Sequence, residues 1–271
     1  MANWRSGFVE VNGLRLHYRR RRNKNRPALV LAHGFSDDGL CWRPLADRLV
    51  DDYELILVDA RGHGRSAEPG QSYNAATAAA DLAGVITALR LVRPAVLGHS
   101  MGAVTALALA GTFPELVRAI LLEDPPPWWQ SDALEADPAW LAGMRQWLID
   151  LKRLTRAELI ATQRQAAPTW SAAELGPWAD AKLRASFNIL NQSPSGLDWP
   201  ATLRAITCPV LLITADPELA ALVTPDAAAA FCQLLPTARV VHLPGAGHSI
   251  RREQFEPYLA AVRAFLAQTI G

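Results

Sequence analysis

Little in this chain of 271 residues is present in excess. Lys and Arg number 27 against 26 Asp and Glu, so no global field draws it to nucleic acid or to an anionic membrane. Cysteine is scarce: Cys41, Cys208 and Cys232 are scattered and odd in number. That excludes a disulfide framework and any regular metal-ligand spacing, and free thiols in a reducing compartment are expected. No apolar run reaches transmembrane length, and Met1-Ala2-Asn3-Trp4-Arg5 lacks the basic-then-apolar pattern of a secretory leader. A soluble, cytoplasmic protein without nucleic-acid or membrane partners is therefore expected. The single basic run, Arg19-Arg20-Arg21-Arg22-Asn23-Lys24, reads as a solvated turn between two strands. Internal repeats and low-complexity linkers are absent as well.

What is present is apolar material, half of all residues, enough to bury the core of one α/β domain with an insertion. Phe8–Val11 and Leu14–Tyr18 alternate apolar and polar around Asn12-Gly13, a hairpin signal. His17 falls on the polar side of that alternation and is expected at the surface. Ala28–Ala32, Leu55–Val58, Pro94–Leu97 and Pro209–Thr214 are short apolar runs, and Val117–Leu122 is a further strand-like run. Buried parallel strands read this way, and helical stretches separate them. From Pro127 to Pro200 the strand–helix rhythm stops. Seven of the nine tryptophans fall there, so this helical insertion must bury aromatic surface, partly in its own core and partly over a cavity. About a third of them are expected to face that cavity.

Gly98-His99-Ser100-Met101-Gly102 joins one buried strand to an alanine-rich helix. A serine at such a corner sits on a tight turn that exposes its hydroxyl. The N–H of Met101, opening the helix, points toward any oxyanion formed there. Serine needs a base to take its proton, and that base needs a third group to orient it. His248, in the Gly-flanked loop after the last strand, is the candidate base. Asp59, Arg61 and His63, in the turn after the fourth strand, read instead as a polar network fixing a loop.

Together, His33-Gly34-Phe35, Asp59-Ala60-Arg61-Gly62-His63-Gly64-Arg65-Ser66, Gly98-His99-Ser100-Met101-Gly102 and Gly245-Ala246-Gly247-His248 resemble the successive signatures of the α/β-hydrolase superfamily. The resemblance runs from about Phe8 to the C-terminus except for the insertion. It implies a mostly parallel eight-stranded sheet flanked by helices (residues 1–126 and 201–271), with a helical cap (127–200) inserted after strand 6. It further implies an oxyanion hole from the N–H groups of Phe35 and Met101. For the triad acid the family offers two places. After strand 6 stands Asp124, 24 positions beyond Ser100, a spacing similar to that of some haloalkane dehalogenases and a fungal lactone hydrolase. After strand 7 stand Asp216 and Glu218. Asp124 is preferred, Asp216 is the alternate and Glu218 the last choice.

The resulting expectation is a serine hydrolase that cleaves an apolar carboxylic ester or lactone through an acyl-enzyme, without metal or organic cofactor. His99, Trp128, Trp129 and Trp147 are expected in its substrate pocket. The alternatives are a carbon–carbon bond hydrolase of ring-cleavage diketones, a lyase or perhydrolase, or a catalytically idle member that binds a small ligand.

Overall fold

The computed structural model describes residues 4–23, 25–68, 73–131, 135 and 137–270. Met1 to Asn3 and Lys24 of the basic run lie outside these, as do residues 132–134 and 136 of the insertion.

Eight strands form one sheet: β1 (Arg5–Val11), β2 (Leu14–Arg21), β3 (Ala28–Ala32), β4 (Glu54–Val58), β5 (Ala95–His99), β6 (Ala119–Glu123), β7 (Val210–Thr214) and β8 (Arg239–His242). Their order is β1-β2-β4-β3-β5-β6-β7-β8. The β1–β2 hairpin and the β2–β4 pair are antiparallel, and every other pairing is parallel. The unbroken apolar runs follow from helices covering both faces. In register, Val30, Val96, Ile120 and Val210 form a row pointing to one face, and Leu31, Leu97, Leu121 and Leu211 a row pointing to the other. On the first face pack α2 (Ala75–Ala88), α3 (Met101–Thr112), α7 (Trp199–Arg204) and α8 (Pro225–Leu234). On the second pack α1 (Arg43–Leu49) and α10 (Phe255–Thr269), with the short α9 (Ile250–Glu253) ahead of it. Each fully buried Leu or Val in these rows contributes roughly 1.5–3 kcal/mol.

Between β6 and β7 the chain leaves the sheet and builds the cap from α4 (Pro138–Lys152), α5 (Arg156–Ala166) and α6 (Ala172–Arg184). Leu159, Trp178 and Ala179 form a small core within the cap. Leu148, Ile189 and Leu190 close against Phe35, Tyr73 and Met101 of the main body. No helix among the described residues is long and apolar enough to cross a membrane.

Two expectations fail at the sheet's antiparallel end. His17 is fully buried, because β2 pairs on both sides and the turn after β4 folds over it. Its Nδ1–H donates to Asp59 Oδ2 at 2.8 Å. The basic run is not a turn either: β2 continues through Arg21, and Arg20 pairs with Glu54 at 2.6 Å. Alternation signals which side chains face outward from a sheet, but it says nothing about a distant loop that returns to cover them.

Candidate active site

Parallel strands of one sheet deliver their C-terminal ends to one edge, and four connections meet there. β5 runs into Ser100, which adopts φ 51° and ψ −115°. That conformation costs a non-glycine residue about 1–3 kcal/mol and persists only if the surroundings impose it. Here they do. A Cβ at Gly98 would stand 2.2 Å from the Gly102 carbonyl oxygen, and one at Gly102 would stand 2.2 Å from that of Ala32. Glycine at both positions lets strand, turn and helix close together. The Ser100 N–H donates to Glu123 O at 2.9 Å. The loop after β3 packs on the elbow, since a Cβ at Gly34 would lie 3.6 Å from Ser100 Cβ and 2.7 Å from His99 Nδ1.

β6 ends at Asp124, also at positive φ, 43°. Its carboxylate is wholly buried and accepts from two backbone N–H groups, that of Leu222 shared between both oxygens and that of Val223 on Oδ1, at 2.9–3.0 Å. It also accepts from His248 Nδ1 at 2.7 Å. A carboxylate only accepts, so Nδ1 carries the proton and Nε2 keeps its lone pair. The His248 backbone carbonyl accepts from His99 Nε2 at 2.9 Å, and the two rings lie 4.7 Å apart. Burial first, and then the charge of Arg251, hold the His99 imidazole well below its ordinary range. It therefore stays neutral and donates one hydrogen bond.

Ser100, His248, Phe35 and Met101 line a single cavity of about 580 Å³ between the sheet edge and the cap. No hydrogen bond joins Ser100 to His248 among the described residues; catalytic bonds are often loose until substrate is bound. The N–H of Met101 opens α3, where the first amides of a helix have no partner within it.

The α/β-hydrolase fold model matches residues 27–251. The chain belongs to the α/β-hydrolase family. Along 95% of its length this hydrolase is 31% identical to 2-(acetamidomethylene)succinate hydrolase of Mesorhizobium japonicum, covering 94% of that protein. It is 29% identical to N-formylmaleamate deformylase of Pseudomonas putida over 96% of each chain. The crystal structure of E-2-(acetamidomethylene)succinate hydrolase superimposes with a TM-score of 0.80 at 27% identity, covering 98% of this chain and all of that one.

Neither of the two competing carboxylates of this α/β hydrolase is bonded to His248 among the described residues. Asp216 accepts from His242 Nε2 at 3.0 Å and from the Gly245 N–H at 2.8 Å. Glu218 is exposed on a 3-10 turn, Pro217–Leu219. His99, Trp128 and Trp147 line the cavity, whereas Trp129 does not. Trp129 packs on Phe231 in the core, and its Nε1–H donates to Ala227 O. Trp199 is buried in the same core. Five of the seven insertion tryptophans line the cavity (Trp128, Trp140, Trp147, Trp170 and Trp178), well above the expected third.

Sequence reasoning missed a buried ionic cluster in the cavity wall. Asp37 accepts from Lys182 Nζ at 2.7 Å and from Arg252 Nη2 at 2.8 Å, with Arg251 Nη2 at 3.3 Å. Arg251 also donates to Glu123 at 3.0 Å, and Arg252 to Glu174 at 3.3 Å. Burial raises the Asp37 carboxyl, but the three cations outweigh it and hold the group well below the usual range. The only sequence signal was Arg251-Arg252 directly after the histidine loop.

A second Ser–His–Asp chain also occurs, outside the cavity. Ser6 Oγ donates to His17 Nε2 at 2.6 Å, and His17 Nδ1 to Asp59. Asp59 further accepts from the N–H groups of Gly39 and Arg65. With Arg61 paired to Asp81, and His63 reaching Phe35 O at 2.5 Å, this is the loop-fixing network expected of the Asp59–Ser66 turn.

Proposed function

We propose that this hydrolase transfers an acyl group to water through Ser100. His248 Nε2 takes the hydroxyl proton as Ser100 Oγ attacks the carbonyl carbon, and Asp124 stabilises the imidazolium and fixes its tautomer. The N–H groups of Phe35 and Met101 hydrogen-bond the tetrahedral oxyanion. Its collapse breaks the bond to the leaving group, which receives the proton from His248. Water, deprotonated by the same imidazole, then attacks the acyl-enzyme; collapse breaks the bond from Ser100 Oγ to the acyl carbon, Oγ takes the proton back from His248, and the acid is released. The observation that carries the reading is the 2.7 Å bond from His248 to a fully buried Asp124, made on the wall of the cavity that also holds the strained Ser100.

The bond proposed is a carboxylic ester or lactone of an apolar substrate, as the tryptophan-rich lining suits. A second reading is cleavage of an N-acyl bond. It is supported by the two relatives, whose names describe an acetamido compound and an N-formyl amide. Rates with p-nitrophenyl acetate, p-nitroacetanilide and a ring-cleavage diketone, each in the natural protein and in Ser100→Ala, test the proposal. Ester turnover that disappears in the variant supports it. Turnover of the anilide above the ester selects the second reading, and turnover of the diketone alone would replace both.

A further inference from the structure

Taking the acyl-transfer reading as given, we infer that the cavity selects neutral aromatic esters and rejects substrates bearing carboxylates, the class named in the two relatives. The argument is one of charge. Among the described lining residues the only permanent cations are Lys182 and Arg252. Both are committed. Lys182 Nζ donates to Asp37 Oδ1 and, at 3.1 Å, to Ser36 O, with its side chain 3% exposed. Arg252 lies between Asp37 and Glu174, equally buried. Tryptophan rings close over both, with Lys182 Nζ 5.1 Å from the Trp178 centroid and the Arg252 guanidinium 4.6 Å from that of Trp170.

A substrate carboxylate placed beside either cation would have to compete with Asp37, whose charge already offsets both. Elsewhere on the wall it would lose its own water without replacement. The other charged groups there give it no partner. Among the described lining residues stand three carboxylates, Asp37, Glu135 and Asp137, of which Asp37 is also bonded to Arg251. Glu135 is itself held by the Ser195 N–H and hydroxyl and by Trp199 Nε1, so it is not a free acid awaiting a cationic substrate. What the wall offers a ligand is ring surface from Trp128, Trp140 and Trp147, together with the neutral amide of Gln163. Phe35 meets Trp140 edge-on at 5.1 Å, so an aromatic surface stands beside the candidate oxyanion donor. A substrate ring suits that surface.

Matched substrate pairs test this on the natural protein. Phenyl pentanoate is set against monophenyl succinate, and phenyl acetate against 4-carboxyphenyl acetate, with kcat/KM corrected for the intrinsic hydroxide rate of each ester. The neutral member is expected to lead by about 100-fold in both pairs. Equal rates, or a lead for the carboxylated member, would overturn the inference while leaving acyl transfer in place. Fluorophosphonate labelling of Ser100 in the same sample separates the two failures. No labelling, together with no turnover of any ester, would overturn the acyl-transfer reading and the selectivity argument with it.

Discussion

Asp124 and Asp216 stand at the ends of adjacent strands, and the sequence alone could not separate them. Their surroundings do. Asp124 is fully buried and bonded to His248, whereas Asp216 is partly exposed and holds His242 and the Gly245 amide. Asp124→Asn should therefore lower kcat roughly 1,000- to 10,000-fold by disturbing the tautomer of His248. Asp216→Asn should leave most of the turnover, which steady-state hydrolysis of a p-nitrophenyl ester measures. Ser100 and His248 were legible as residues because glycine marks the close approaches each needs. Asp124 was preferred as the acid, but what holds it was not legible, because the amides that cover it come from Leu222 and Val223, about a hundred positions away. Trp128 and Trp129 are alike in sequence, but Trp128 lines the cavity while Trp129 meets Phe231 and Ala227, about a hundred positions away.

At the scale of elements, cap and body are joined where α6 meets the loop after β3. Lys182 grips Asp37 and the Ser36 carbonyl, and Arg184 pairs with Asp38 at 2.6 Å. That loop also carries Phe35, so the cap's docking and the position of the candidate oxyanion donor share one anchor. Lys182→Met removes one of three cations from Asp37 while Arg251 and Arg252 remain. The expected loss of stability is about 2 kcal/mol, less than for an unpaired buried charge, read by urea denaturation. A fall in kcat should accompany it; unchanged values of both would show that the anchor is dispensable. The buried strands were readable from their apolar runs, and the helix after Ser100 from its alanines. This seam was not, since Asp37 and Lys182 are 145 residues apart and neither belongs to a local pattern.

For the whole molecule, near-neutral net charge hides buried carboxylates that the fold requires to be ionised. Burial raises the Asp59 carboxyl, but the His17 hydrogen bond and the Arg65 amide more than offset that, drawing it down to about 2 from 3.8. A carboxylate depressed on folding stabilises the folded state above its unfolded value and loses that contribution as pH falls through its folded value. Asp59 should thus contribute about 2 kcal/mol above pH 4, vanishing as the pH approaches 2. Asp37 acts in the same direction. Urea denaturation from pH 7 to pH 2 should show a steep loss of stability below pH 4, and Asp59→Asn should flatten its Asp59-dependent part.

The central claim is that Ser100 is the residue acylated, with His248 as its base. The most direct measurement is mass-mapped labelling by a fluorophosphonate. The account predicts one adduct, on the peptide containing Ser100, absent in Ser100→Ala and slowed at least 100-fold in His248→Ala. An adduct on Ser6, or labelling of Ser100 at the natural rate without His248, would contradict it.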